Sequence, residues 1–452
     1  MESLDGYGLS TRGAENVAAI WPRIVNAVKE REKQYTAGSS IDMSTSENWL
    51  LRDELMQHYK QAIQDNLCAR HLSYPDGLNG DSGLLDALVQ FLNSHFSPLI
   101  PVEKAQVSIA PGAAFALDAL LYNICEPGDG LLVPTPCWNG FDWLLNVRSS
   151  VKPVFVPIDS LGDVFTSKVI VALEDALSKS PIPIKGLLFT NPQNPLGQCY
   201  PTELIAGIVR FCVERKLHFI SDEIYGMSIF PNPDIPHPVP FVSILNIDIQ
   251  GMGCDLSRVH MIWSTSKDLG SSGLRVGCCV TQANKPLATG IALASNTQTS
   301  SLAAIATAGL LSSPDLPQLF ELNAKRLSEA YLLLTVVLKK HGIQYIPANQ
   351  TPFLFARLVP DAQTWEEEAE FGQMCKDAGV AISNGKSYHL PECEKGWARL
   401  NFAIEPASLA EALKRLDSVL TVSKDDQVKE AGNTATAHKD IVLLAPMVSE
   451  MA

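Results

Sequence analysis

Apolar positions fall into two rhythms along this 452-residue chain. Short unbroken apolar runs bounded by turn residues alternate with longer stretches in which apolar side chains recur every three or four positions. That alternation predicts buried strands between amphipathic helices. The helical rhythm covers residues 13–37 (Val17, Ile20, Ile24, Val28), 50–59, 81–94, 292–311, 316–340 and 365–378. Pro317 suits the first turn of its helix, where a backbone N–H has no partner in any case. Strand-like runs are Val107–Ala110, Leu131–Val133, Gly186–Thr190, Leu217–Ser221, Val259–Trp263, Thr351–Leu358 and Gly396–Ala403. The order predicts an α/β protein of two lobes, the long helix 316–340 leading into the second. Residues 424–452 turn charged and polar before Ile441–Pro446, which predicts a flexible tail.

Composition narrows the class. Hydrophobic residues make up 46% and charged residues 19%, ordinary for a globular enzyme with a large core. A net charge of −14 argues against nucleic acid or an anionic membrane surface as partner. Ten cysteines include no C-x-x-C and no cluster with histidine at metal spacing, so no metal site is expected. Cys278 and Cys279 sit in an apolar run and read as buried free thiols. The opening residues lack the basic and apolar regions of a signal peptide, and no run is long enough to span a bilayer. A cytoplasmic protein is expected.

Chemistry gathers where apolar runs end. Val259–Trp263 leads into Ser264-Thr265-Ser266-Lys267-Asp268-Leu269-Gly270, with Gly273, Arg275 and Gly277 following. A lysine at the mouth of a buried strand is costly unless it is exposed, paired or used. A Schiff base to an aldehyde cofactor is one use, with Ser264, Ser266 and Arg275 as phosphate partners. A surface lysine on a turn is the plain alternative.

Four other exits add to it. Gly186–Thr190 opens onto Asn191-Pro192-Gln193-Asn194-Pro195-Leu196-Gly197, a rigid loop. Leu217–Ser221 ends in Asp222-Glu223-Ile224-Tyr225. Val107–Ala110 turns through Gly112-Ala113-Ala114 into a helix, where backbone N–H groups can meet a phosphate. Leu131–Val133 runs into Pro134-Thr135-Pro136-Cys137-Trp138-Asn139-Gly140-Phe141-Asp142.

Together these segments resemble the class I/II aminotransferases, the fold-type I pyridoxal 5′-phosphate (PLP) enzymes, over roughly residues 40–420. S-x-S-K-D-x-G is most similar to the branch containing 1-aminocyclopropane-1-carboxylate (ACC) synthase. The resemblance implies a large PLP-binding domain over 66–320, with a mostly parallel central sheet sandwiched by helices. It implies a smaller α/β domain built from residues 1–65, which include an N-terminal arm, and from 321–423. Lys267 would carry PLP and then serve as general base. Asp222 would face the pyridine nitrogen, and Asn194 and Tyr225 the ring oxygen. Trp138 would stack on the ring, though plain core packing is its alternative. Ala113, Ala114, Ser264, Ser266 and Arg275 would hold the phosphate. Arg399, in Gly396-Trp397-Ala398-Arg399, would clamp the substrate carboxylate. Glu47 and Asn48 match a pair that reaches the substrate pocket; a helix cap is the alternative for them.

Departures from the family pattern matter. Leu78 replaces a tyrosine of ACC synthase, Cys137 an aromatic residue, and the threonine of the glycine turn is absent. T-S-E-N-W-L and P-T-P-x-W-N-G-F-D-W are similar to ACC-synthase-like proteins of fungal secondary metabolism, some of them C–S lyases acting on sulfur-bearing diketopiperazine precursors. The resemblance thus implies reaction through an external aldimine and an α-carbanion. Its outcome is transamination or C–S β-elimination of an amino-acid-type substrate. ACC-type γ-elimination on S-adenosylmethionine and an inactive PLP-binding regulator are the alternatives. A homodimer is implied as well.

Overall fold

In the computed structural model, residues 8–21, 25 and 40–422 are described. The apolar runs become strands in chain order: β1 Ile41–Asp42, β2 Val107–Ala110, β3 Gly130–Pro134, β4 Lys152–Val156, β5 Ile184–Thr190, β6 His218–Asp222, β7 Val259–Ser264, β8 Gly277–Val280, β9 Gln344–Ile346, β10 Phe353–Arg357, β11 Val380–Ala381, β12 Ser383–Asn384 and β13 Trp397–Asn401.

Seven of them form one sheet in the order β2-β8-β7-β6-β5-β3-β4. The pairs from β7 to β4 run parallel, and β8 is antiparallel to both neighbours. Side chains alternate between two apolar layers, which is why these strands read as continuous hydrophobic runs. Phe219, Met261 and Trp263 enter one core with Phe91, Leu88 and Ile208. Ile220 and Ile262 enter the other with Leu120, Leu131 and Ile291. Burying each such side chain is worth about 1.5–3 kcal/mol. Register places Thr190 opposite Asp222 and Asp222 opposite Ile262, so the carboxyl ends of β5, β6 and β7 lie side by side.

β12-β13-β10-β9 form a second, antiparallel sheet, in which Phe355 faces Arg399. β1 pairs in parallel with β11, drawing the segment after residue 40 against this smaller unit. The helix Leu316–Lys340 joins the two: Leu316 and Leu319 pack into the large core, while Leu327, Tyr331, Leu334 and Leu338 pack into the small one.

The pattern misplaced one helix. Residues 292–311 form no single helix; Lys285–Ser295 ends, Thr297 adopts a left-handed backbone, and Ser301–Leu311 begins anew. The polar run Asn296–Ser300 breaks it, with Ser300 in the N-cap position that serine favours. Helix 13–37 is helical at 11–21 and 25; Ile24, Val28 and the tail 424–452 lie outside the described residues. Among the described residues, no helix is long and apolar enough to cross a membrane.

Candidate active site

β7 delivers the lysine. After Ser264 the chain makes a single helical turn, Thr265–Asp268, that carries Lys267. Asp268 pins the turn from below: its buried carboxylate accepts from Ser228 Oγ at 2.6 Å and Trp263 Nε1 at 2.8 Å. Lys267 Nζ donates to the carbonyl of Ser46. Burial, and then the Arg399 guanidinium, lower the amine from its ordinary 10.5 to about 8. A share of the amine is therefore neutral, and nucleophilic, near neutral pH.

Around it lies a cavity of about 440 Å³. Ala113, Ala114, Trp138, Asn194, Asp222, Tyr225, Ser264, Ser266, Lys267, Arg275 and Arg399 all line it. The sequence spreads these residues over nearly three hundred positions; the sheet's carboxyl edge and β13 bring them together.

Asp222, the last residue of β6, is enclosed, and its Oδ1 has no hydrogen-bond partner in the protein. Burial raises its carboxyl from 3.8 to about 7, against the lowering pull of the Ile224 N–H and of Lys267. Tyr225 is buried, edge-on to Phe353 at 5.5 Å, with its hydroxyl 3.0 Å from Ser46 Oγ. Burial pushes its phenol well above the ordinary value.

Arg399 reaches in from β13. Its Nη1 donates to Asn194 Oδ1 at 2.9 Å and its Nη2 to the Ser44 carbonyl at 2.7 Å. The carbon between them lies 4.6 Å from the Phe353 ring centre and 5.3 Å from that of Tyr388, so two aromatic faces flank the charge. Its Nε is buried without a partner.

At the far end, the helix Ala113–Ile124 starts beside Arg275. Gly112 has φ +88°, and a Cβ there would stand 2.4 Å from Arg275 Nη2. The positive φ favours glycine, and any side chain there would displace the Arg275 guanidinium. Arg275, itself left-handed, donates to the carbonyls of Ser272 at 2.8 Å and Pro111 at 3.0 Å. Trp138 packs edge-on to Phe141 at 5.3 Å while also walling the cavity.

Glu47 and Asn48 do not line the cavity, although the Glu47 charge acts on Lys267 and raises its amine. Glu47 accepts from Trp49 Nε1 and Arg52 Nη2 at 3.1 Å each, and from Ser272 Oγ at 2.6 Å. Asn48 donates to Asn323 Oδ1 at 2.8 Å and accepts from the Leu50 N–H at 3.1 Å. Ser44, Thr45 and Ser46, just upstream, do line the cavity, as does the Glu47 partner Ser272. The run of three small hydroxyl residues just upstream was the available signal. Ser383, which lines the cavity, and Tyr388, which flanks Arg399, carried none. Leu78 (42% exposed) and Tyr74 (85%) stand on a surface loop and do not line the cavity in this chain.

The residues present fit a PLP molecule. The orphaned Asp222 oxygen suits a protonated ring nitrogen, and the Gly112 turn with Arg275 and the serine hydroxyls suits a phosphate.

Comparison with known proteins agrees. The family model "Aminotransferase class I and II" matches residues 39–416. A "Probable aminotransferase aclI" of Aspergillus oryzae is 56% identical over 415 residues, 92% of this chain and 98% of that protein. A "Trimodular acetylaranotin synthesis protein" of Aspergillus terreus is 34% identical over 84% of this chain and 39% of that protein. In fold, the chain is similar to an aspartate aminotransferase double mutant of Thermus thermophilus, with a TM-score of 0.73, 21% identity, and 91% and 99% of the two chains covered.

Proposed function

The chain belongs to the class I and II aminotransferase family of PLP enzymes, and from that premise we propose that it takes the α-proton from an amino acid bearing a single carboxylate. The outcome is amino transfer or elimination at a β-carbon–sulfur bond. The observation that carries this is the cation inventory of the cavity: among the described residues lining it, Lys267, Arg275 and Arg399 are the lysines and arginines. Assigned to the cofactor carbonyl, its phosphate and the substrate carboxylate, they leave none for a second carboxylate. A substrate with one carboxylate fits both amino transfer and C–S elimination. The relative named for acetylaranotin synthesis supports a role in secondary metabolism.

When bound, PLP supplies a carbonyl that condenses with amines and a ring that takes up electrons. This chain's residues do the rest. Asp222 would hold the ring nitrogen, Asn194 and Tyr225 the ring oxygen, and Trp138 one ring face. Arg275, Ser264, Ser266 and the turn at Ala113 and Ala114 would hold the phosphate. Arg399 presents a planar fork that matches a carboxylate. Lys267, with its lowered pKa, accepts the α-proton at Nζ as general base. Leu188, Ile224 and Ile262 give the cavity an apolar wall.

We extend the proposal to a cytoplasmic homodimer, supported by the exposed Leu72 and Tyr74 on one surface loop. The division into residues 66–320 and 321–423 is part of it, supported by the second core around Tyr331, Leu354 and Phe402, although Phe355 and Trp397 join the larger core. The experiment is keto-acid release from S-conjugated cysteines by the PLP-loaded protein and by Lys267→Ala. Release without an added keto acid establishes elimination, and release only with one establishes transamination. No release under either condition, or release by the variant, rejects the reading.

A further inference from the structure

We infer that Ser46 is a positioning residue for the Lys267–cofactor bond, acting through Tyr225; this rests on the reading of the cavity as a PLP site. Ser46 is 5% exposed, and its hydroxyl lies 3.0 Å from the Tyr225 hydroxyl. Its carbonyl accepts from Lys267 Nζ. One residue therefore touches both the amine and the phenol.

The segment that carries Ser46 is tied down on both sides. The Met43 carbonyl accepts from the Asn401 N–H at 2.8 Å, and the Glu47 carbonyl from Asn401 Nδ2 at 2.9 Å. The Trp49 N–H donates to the Ala403 carbonyl at 2.8 Å, and Arg399 holds the Ser44 carbonyl. The hydroxyl is thus held against the phenol by main-chain bonds that no serine substitution removes.

Proton counting fixes the direction of the bond. A phenol carries one proton. With Tyr225 donating that proton to the ring oxygen, Ser46 is the donor in the serine–tyrosine pair. A hydroxyl donated to the phenol oxygen polarises the phenol O–H and makes it a stronger donor in turn. A stronger donor at the ring oxygen spreads that oxygen's negative charge. The oxygen then holds less tightly the proton it shares with the Lys267 nitrogen. Ser46 thereby lowers the pH at which the Lys267–cofactor bond gives up its proton.

The charged and titratable groups facing this pair are Arg399, Asp222 and Tyr388 around Tyr225, and Arg399, Glu47, Asp222 and Arg275 around Lys267. All are kept in the variants below, so a shift reports the hydroxyl alone.

The test is a visible-absorbance pH titration of PLP-loaded wild type, Ser46→Ala, Ser46→Thr and Tyr225→Phe, with no substrate present. Tyr225→Phe moves the midpoint upward. Ser46→Ala moves it the same way by a smaller step, about half a pH unit. Ser46→Thr, which keeps the hydroxyl, stays near wild type. A Ser46→Ala midpoint that is unchanged or lower, while Tyr225→Phe shifts, overturns the inference and leaves the PLP reading standing. A wild type with no PLP absorbance overturns the reading itself, and the inference with it.

Discussion

Arg399 and Asn194, 205 positions apart, share a hydrogen bond of 2.9 Å from guanidinium to side-chain oxygen. The bond joins β13 of the small sheet to the loop that leaves β5 of the large one. It orients both groups: an amide whose oxygen is taken presents its NH₂ to other partners, as a donor to a ring oxygen must. It also holds the guanidinium plane between Phe353 and Tyr388, facing a carboxylate with its geometry already set.

Arg399→Lys is accordingly not a conservative change. One ammonium cannot hold Asn194 Oδ1 and the Ser44 carbonyl and still present a fork. We predict that kcat/KM falls by about 10²–10³, in line with loss of a buried charged partner. PLP absorbance should persist. Steady-state kinetics beside a visible spectrum check this, and a variant of wild-type efficiency refutes the clamp.

Lys267→Ala removes the amine that condenses with PLP, so its spectrum shows no pH-dependent lysine adduct and turnover is lost. In the wild type, uptake of PLP depends on the neutral amine. The folded amine titrates at about 8 and not at 10.5, so the neutral fraction grows as pH rises through about 8. The rate of reconstitution should climb between about pH 6 and about pH 9 and then level. A rate still rising at about pH 10 contradicts the lowered amine.

Gly112→Val places a branched side chain at φ +88°, with its Cβ 2.4 Å from Arg275 Nη2. Backbone and arginine must both shift, which opens the turn that faces the phosphate. PLP affinity should fall at least about tenfold, the equivalent of 1.4 kcal/mol. Fluorescence titration of the PLP-free protein measures it. Gly128→Val, also at positive φ (+93°) but with nothing near its Cβ, is the control for backbone strain alone.

Much of this site was legible because chemistry and local punctuation coincide. Asn194, Asp222 and Lys267 each stand within four residues of the end of an apolar run, and a parallel sheet gathers the ends of such runs. Arg399 was legible only through the resemblance of its strand. Ser44–Ser46 enter through two long-range facts, the pairing of Ile41 with Val380 and the Asn401 bonds to Met43 and Glu47. No local pattern encodes those two facts, whereas Glu47 and Asn48, conspicuous for their polarity, bond to Arg52, Ser272 and Asn323. The break after Ser295 was hidden because apolar residues on both sides kept the helical rhythm.

Asp222 supplies a prediction about stability as well as chemistry. Its carboxyl titrates at 3.8 in an unfolded chain and at about 7 in the folded, PLP-free one. Between those values the folded state binds a proton that the unfolded state has released. Its contribution to stability is present below 3.8 and is lost as pH rises toward about 7. Asp222→Asn has no proton to lose. Without PLP, the variant should melt above the wild type at about pH 8, and the gap should close as the solution is acidified. PLP reverses the order, since a protonated ring nitrogen beside Asp222 favours its carboxylate. The thermal gain on adding PLP should therefore be larger for wild type than for Asp222→Asn, read by melting curves at both pH values. Equal gains in the two proteins sink the assignment of Asp222 to the ring nitrogen.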